Sequence, residues 1–419
     1  MFSGVSRSRL LPMSLPFRYF GAAVAFQGVA WTLLLFSAGE FAGFEGGLGP
    51  VFAALHLITL GVLAMSAIGA TLQLLPVATR QPVSALWAVK LVWWLLVPGT
   101  AVFAVGAALY RPHVMGLGAV AVLAALALYA ALLTKNLVGA RGMKAVVAHG
   151  WAALACLVAL AATGLALVGR YEHGWAVDAA ALRNAHLLLA TYGFMGLLSL
   201  GLSTFLLPML ALAPPPSPAM TGTALRAALL AIALGAFGFA VPAAMLGLLA
   251  ASLHVAAMER SLRARLRPAL GPSFVLVRVS WLCLVGSLVL ALLMALDMAP
   301  PRAPLLFGLL LVPGWLLTFL LGVLQRIVPF LGSVHASSSP HGTPLISALT
   351  PARVLAAHRW LHLFALACLL GAAFSGKAWL AFAGAAAGLC GALAFAAFFA
   401  FVLTKVHHGI QPPHQPAPA

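Results

Sequence analysis

Acid is what this sequence has least of. Six Asp and Glu stand in 419 residues against 23 Lys and Arg, and charged residues make up only 7% of the chain. A water-soluble domain carries roughly 25%, so a soluble globule is excluded. Alternating stretches of ~10 residues are missing too, which excludes a transmembrane barrel. The four cysteines, Cys156, Cys283, Cys368 and Cys390, show no metal-ligand spacing. They lie inside apolar runs and read as small buried hydrophobes, not as disulfides or thiolate ligands. The opening MFSGVSRSRLLPMSLPFR has neither an apolar h-region nor a small-residue cleavage site, so no signal peptide is expected.

What is present is hydrophobic sequence, at 63% of residues and a mean hydropathy of +1.09. Apolar runs near the ~20 residues that cross a bilayer as a helix recur along the chain. They predict twelve spans at 19–39, 51–77, 84–109, 114–138, 144–169, 181–212, 222–240, 241–262, 272–297, 303–330, 352–375 and 378–404. The expected fold is therefore all-α and integral to the membrane. Residues 1–405 form one domain, and 406–419 form a Pro-rich disordered tail. With both termini on the cytoplasmic side, Glu40, Glu45, Glu172, Asp178 and Asp297 fall at the outer face. Most basic residues, including Arg80, Arg141 and the Arg260/Arg263/Arg265/Arg267 cluster, fall inside. That is the positive-inside bias. It accounts for the net charge of +17 without a nucleic-acid partner; a lipid bilayer is the expected surrounding, and the basic cluster could touch anionic lipid.

A spacing repeats in every fourth span. Gly61 and Gly69 lie fifteen and seven residues before Pro76; Gly193 and Gly201 stand likewise before Pro208, and Gly314 and Gly322 before Pro329. Eight residues is just over two helical turns, so each glycine pair marks one face open to another helix or to a flat ligand. Spans 4, 8 and 12 end in the similar LLTK, AMER and VLTK. Spans 1, 5 and 9 pair a polar residue with a tryptophan, as Gln27/Trp31, His149/Trp151 and Arg278/Trp281. The period predicts three pseudo-symmetric four-helix units.

Histidine supplies the candidate chemistry. Most of the thirteen fall in loops or the tail. His56 and His186 instead sit about 8 Å inside the outer ends of spans 2 and 6, at matched positions above the glycine face. An ionisable group at that depth is costly and marks a functional site by default; the alternative is an interfacial histidine bonded to backbone. His56 and His186 are the candidate metal ligands, for haem iron or copper. His358 and His362 are spaced i, i+4 on span 11, able to clamp one metal or to offer a ligand to each of two cofactors, and are further cofactor-binding candidates. His149 and His254 read as structural.

Twelve helices in three arcs, with histidines near the outer ends of spans 2 and 6, resemble subunit I of the haem–copper oxidases and its smaller relative NnrS. The His56-x4-Gly61-x7-Gly69-x6-Pro76 spacing carries the closest likeness. The resemblance implies that His56 corresponds to the low-spin haem ligand and His186 to the copper ligand on the sixth helix. It also implies a b-type haem, with copper as an additional metal, a diatomic gas ligand, a respiratory electron donor and a place in the bacterial inner membrane. The departures are specific. Span 7 has no histidine pair, the outer end of span 10 offers Phe307, Gly308 and Leu309, and Leu57 stands where NnrS carries an acid. A binuclear centre cannot be assembled, and the spans hold no carboxylate relay. The expectation is nitric oxide handling or denitrification-linked respiratory metabolism, without proton-pumping oxygen reduction; whether the protein is an enzyme stays open. A twelve-helix secondary transporter and a cofactor-free assembly subunit are the alternatives.

Overall fold

The computed structural model describes residues 10–83, 85–336 and 344–408. Twelve helices long and apolar enough to cross a membrane occupy almost all of it. They are α1 (Ser14–Phe36), α2 (Pro50–Thr79), α3 (Leu86–Ala108), α4 (Pro112–Val138), α5 (Lys144–His173), α6 (Ala179–Ala211), α7 (Pro218–Ala236), α8 (Ala240–Arg263), α9 (Ser273–Ala295), α10 (Ala303–Ala336), α11 (Ala352–Ser375) and α12 (Ala378–His408). No strand occurs among the described residues. In hydrocarbon each backbone N–H and C=O has to be satisfied within its own segment, and a helix does this. Twelve crossings bring the two ends of the chain to one side of the bundle.

The expected and observed spans agree to within a few residues at most ends. The boundary between α7 and α8 falls earlier than the cut expected near Pro242. Residues 237–239 make the turn, with Gly238 at φ 87°, a left-handed geometry that costs glycine little. Pro242 instead lies in the first turn of α8, where its missing N–H breaks no intrahelical bond. At the other end α12 continues to His408, three residues past the expected limit of the membrane domain. Residues 1–9, the remaining tail 409–419, and with them His341 and His414, lie outside the described residues.

Three of the helices share an unusual backbone. α2, α6 and α10 each contain an eight-residue π-helical segment, at Leu57–Ala64, Leu189–Gly196 and Leu310–Leu317. In each the first repeat glycine is the fifth residue of the segment, and the repeat proline follows its end by twelve residues. These three helices are the most deeply buried of the twelve. The π segments of α2 and α6 both pack against that of α10. Around them α3 pairs with α4, α7 with α8 and α11 with α12; contacts of α4 with α5, α8 with α9 and α12 with α1 close the ring.

The glycine face is occupied by a neighbouring helix, so it is not a platform for a flat ligand. A methyl group added to Gly61 would lie 2.8 Å from Cβ of Phe26, on Gly193 2.9 Å from Cβ of Cys156, and on Gly314 3.1 Å from Cβ of Cys283. One repeat further on, Gly69 receives Tyr19, Gly201 receives His149 and Gly322 receives Leu276. The inserted residues lie seven apart in each case, on α1, α5 and α9. Only a residue without Cβ lets the backbones come this close. This packing register aligns Tyr19, His149 and Leu276, and it replaces the alignment expected from Gln27/Trp31, His149/Trp151 and Arg278/Trp281. It also gives Cys156 and Cys283 a structural task. Three of the four cysteines are buried as expected, but Cys390 is exposed on the outside of α12.

Candidate functional site

His56 closes the short α-helical start of α2, immediately before its π segment. Its ring packs against two phenylalanines that also touch each other, 4.1 Å from the ring centre of Phe52 and 5.1 Å from that of Phe103 on α3. Nδ1 is 3.0 Å from the Phe52 carbonyl oxygen. A carbonyl only accepts, so the proton is on Nδ1 and the lone pair on Nε2.

His186 lies on the α-helical start of α6, three residues before that helix's π segment. Counted from the repeat prolines, His56 precedes Pro76 by twenty residues and His186 precedes Pro208 by twenty-two. The expected match of position is therefore two residues out. The two side chains nevertheless lie within electrostatic range of each other. Gly164 on α5 leaves room for the ring: a methyl group there would meet His186 Cε1 at 3.2 Å. Thr163 Oγ1 stands 3.3 Å from His186 Nδ1 and also 3.0 Å from the Leu160 carbonyl. The hydroxyl has one proton, and the carbonyl takes it. Thr163 must then accept from His186, so here too Nδ1 carries the hydrogen and Nε2 the lone pair.

Two imidazoles from two of the three π-containing helices thus stand in the same half of the bundle, each with Nε2 as a free base. Both side chains are partly buried. A neutral imidazole whose other nitrogen is tied to an acceptor is the form that ligates metals.

The other predicted pair lies elsewhere. His358 and His362 are buried on α11, with ring centres 6.3 Å apart. They sit toward the helix end on the same side as the chain termini, in the opposite half from His56 and His186. Thr318 Oγ1 gives its proton to the Pro313 carbonyl, at 2.7 Å, and accepts from His362 Nε2, also at 2.7 Å. Gln325 meets His358 Nδ1 at 2.8 Å, while His358 Nε2 is buried without a partner. His149 and His254 form a third group, in which Ser203 bonds to the Leu200 carbonyl and accepts from His254 Nε2 at 3.2 Å.

The sequence reading missed the hydroxyls. Thr163, Ser203 and Thr318 each spend their proton on a carbonyl of their own helix and thereby fix the tautomer of a histidine on another. The available signal was a lone Ser or Thr in an otherwise apolar run, without any indication of which helix it faces. Among the described residues no three His, Cys, Asp or Glu side chains gather to hold a metal ion. When the sequence is compared with known proteins, no family model matches it and no curated protein shows significant similarity.

Proposed function

We propose that this polytopic membrane protein binds a b-type haem between α2 and α6, with His56 as the axial ligand and His186 on the same site. The observation that carries the reading is a pair of histidines on two helices in the same half of the bundle, each with Nδ1 tied to an acceptor and its Nε2 lone pair left over. Haem is favoured over copper by ligand count. A macrocycle brings four nitrogens of its own and needs one or two from the protein, whereas a copper or zinc ion held by side chains wants three or more. The flanking rings of Phe52 and Phe103 suit an apolar macrocycle. No two cysteines stand near enough in sequence for covalent c-type attachment, so the haem is non-covalent.

Haem supplies reversible one-electron chemistry and, with a free axial position, affinity for diatomic gases. The chain's own residues hold the ring, exclude water and set the imidazole tautomers. His56 and His186 would hold the haem, which would supply electron transfer with a respiratory donor or binding of nitric oxide. The relationship to haem–copper oxidase subunit I and NnrS, and a bacterial inner-membrane location, rest on the α2 spacing and the charge bias. His358 and His362, with one buried nitrogen unpartnered, are a secondary cofactor candidate.

The test is the visible spectrum of detergent-purified protein, oxidised and dithionite-reduced, beside His56→Ala, His186→Ala and His358→Ala variants. About one haem per chain is expected, lost in His56→Ala and spectrally shifted in His186→Ala, with His358→Ala unchanged. Addition of nitric oxide to the reduced protein distinguishes one ligand from two. Colourless protein after expression with a haem precursor overturns the proposal and leaves a transporter or a cofactor-free assembly subunit.

A further inference from the structure

A cavity of about 380 Å³ opens at the start of α9, on the side of the bundle that carries both chain ends. Arg265, Leu270, Gly271, Phe274, Val275, Arg278, Val279 and Leu282 line it, and two features give it a direction. At its rim are two guanidinium groups. Apart from Arg278 the α9 wall is apolar, and it ends on an outward face where Val275 is 44% and Leu282 72% exposed. Leu282 is nine residues beyond Ser273, so the wall runs about 13 Å along the helix at ~1.5 Å per residue. Charge at the interface and hydrocarbon below it match a phospholipid in shape and polarity.

The charge balance names the headgroup. Arg278 is neutralised, with its Nε 2.8 Å and its Nη2 3.0 Å from the two carboxylate oxygens of Glu259. Arg265 pairs with no carboxylate among the described residues. It donates to the carbonyls of Leu262 and Pro268, at 3.1 and 3.4 Å, and its Nε is buried without a partner. Of the two arginines that line the cavity, Arg265 is therefore the uncompensated one, with N–H groups to spare. The loop that carries it is held firmly: Arg326 of α10 donates to Ser273 Oγ and the Leu270 carbonyl, and Arg267 to the Leu210 carbonyl.

We propose that this cavity is a specific site for one anionic phospholipid. Arg265 takes the singly charged phosphodiester, and an acyl chain lies along Phe274, Val275, Val279 and Leu282. Guanidinium forks fit phosphate oxygens well, and an ion pair at the edge of the hydrocarbon is less screened than one in water. The occupied site would fasten α9 to the loop after α8. It is independent of the haem proposal, because no residue is shared.

Native mass spectrometry of the delipidated full-length protein, titrated with phosphatidylglycerol or phosphatidylcholine in mild detergent, tests this. One phosphatidylglycerol per chain is expected to persist at collision energies that strip phosphatidylcholine. Retention should fall at least tenfold in Arg265→Ala and be unaffected by Arg170→Ala at the opposite end of the bundle. Val279→Trp, which fills the apolar half and leaves the charge in place, should also expel the lipid, and it covers the case in which Arg265→Ala does not fold. Equal retention of both lipids, or full retention in either cavity variant, overturns the proposal. So does binding of inorganic phosphate in place of lipid, which would make the site one for free anions.

Discussion

Gly201 and Gly28 show how much one residue's surroundings decide. Both are helical glycines in an apolar run. At Gly201 an added methyl group would collide with Cβ of His149, part of a neighbouring side chain close to the backbone that cannot swing aside. At Gly28 the same methyl group meets nothing within 4 Å. Overpacking of a tight contact costs about 1–3 kcal/mol, while relieving a helix of glycine's backbone freedom gains up to about 1 kcal/mol. Gly201→Val should therefore lower the melting temperature of the detergent-solubilised protein, and Gly28→Ala should leave it unchanged or raise it. A Gly201→Val variant as stable as the parent would show that α5 and α6 do not approach as closely as described. The spacing of the glycines was plain in the sequence. What fills them was not, because Tyr19, His149 and Leu276 have no chemistry in common and share only a place along their helices.

At the scale of the element, the three π segments are what hydropathy could not reveal. Residues 57–64, 189–196 and 310–317 are as apolar as the α-helical turns around them, and no propensity separates a wide turn from an ordinary one. The spans themselves were legible because burying an apolar run of this length in lipid outweighs every local preference. The placing of His56 and His186 was half legible: each stood out as an ionisable residue in an apolar run, but only the count of crossings puts them in the same half of the bundle, 130 residues apart in the chain. A π segment amounts to about one extra residue in an α-helix and is often placed at functional sites. Removing one residue turns everything on one side of it by about 100° relative to the other. Deletion of Ile58, between His56 and Gly61, should thus swing His56 off its face or force the glycine contact with Phe26 apart. Deletion of Leu310 in α10 imposes the same backbone change where no histidine precedes the segment. The expected result is loss of the haem spectrum in the first variant and its retention in the second, with both proteins still monodisperse by size exclusion. Equal loss in both would place the iron near α10 instead.

For the whole molecule, the recurring registers support three four-helix units around α2, α6 and α10, which is a proposal built on local coincidences that agree. Each unit has a first helix inserted into glycines, a central helix with a π segment, and a closing antiparallel pair. Where a unit departs from the others, the departure is in the histidines of the proposed site: one near the start of each of the first two central helices, none in the third. The side on which the proposed site lies is set by charge. Twelve crossings put Arg80, Arg141 and the arginines of the α8–α9 loop on the side of the chain ends. Glu40, Glu45, Glu172, Asp178 and Asp297 fall at the other side. Flanking Lys and Arg in short loops determine orientation during insertion and acids contribute little, so the termini should be cytoplasmic and the His56–His186 region should lie in the outer half of the bilayer. Green fluorescent protein and alkaline phosphatase fused after Ala419, and separately within the loop that follows His173, test this. Fluorescence at the C-terminus with phosphatase activity only in the loop is expected. The reverse pattern would turn the candidate site toward the cytoplasm, and its electron donor and gas would then be cytoplasmic ones.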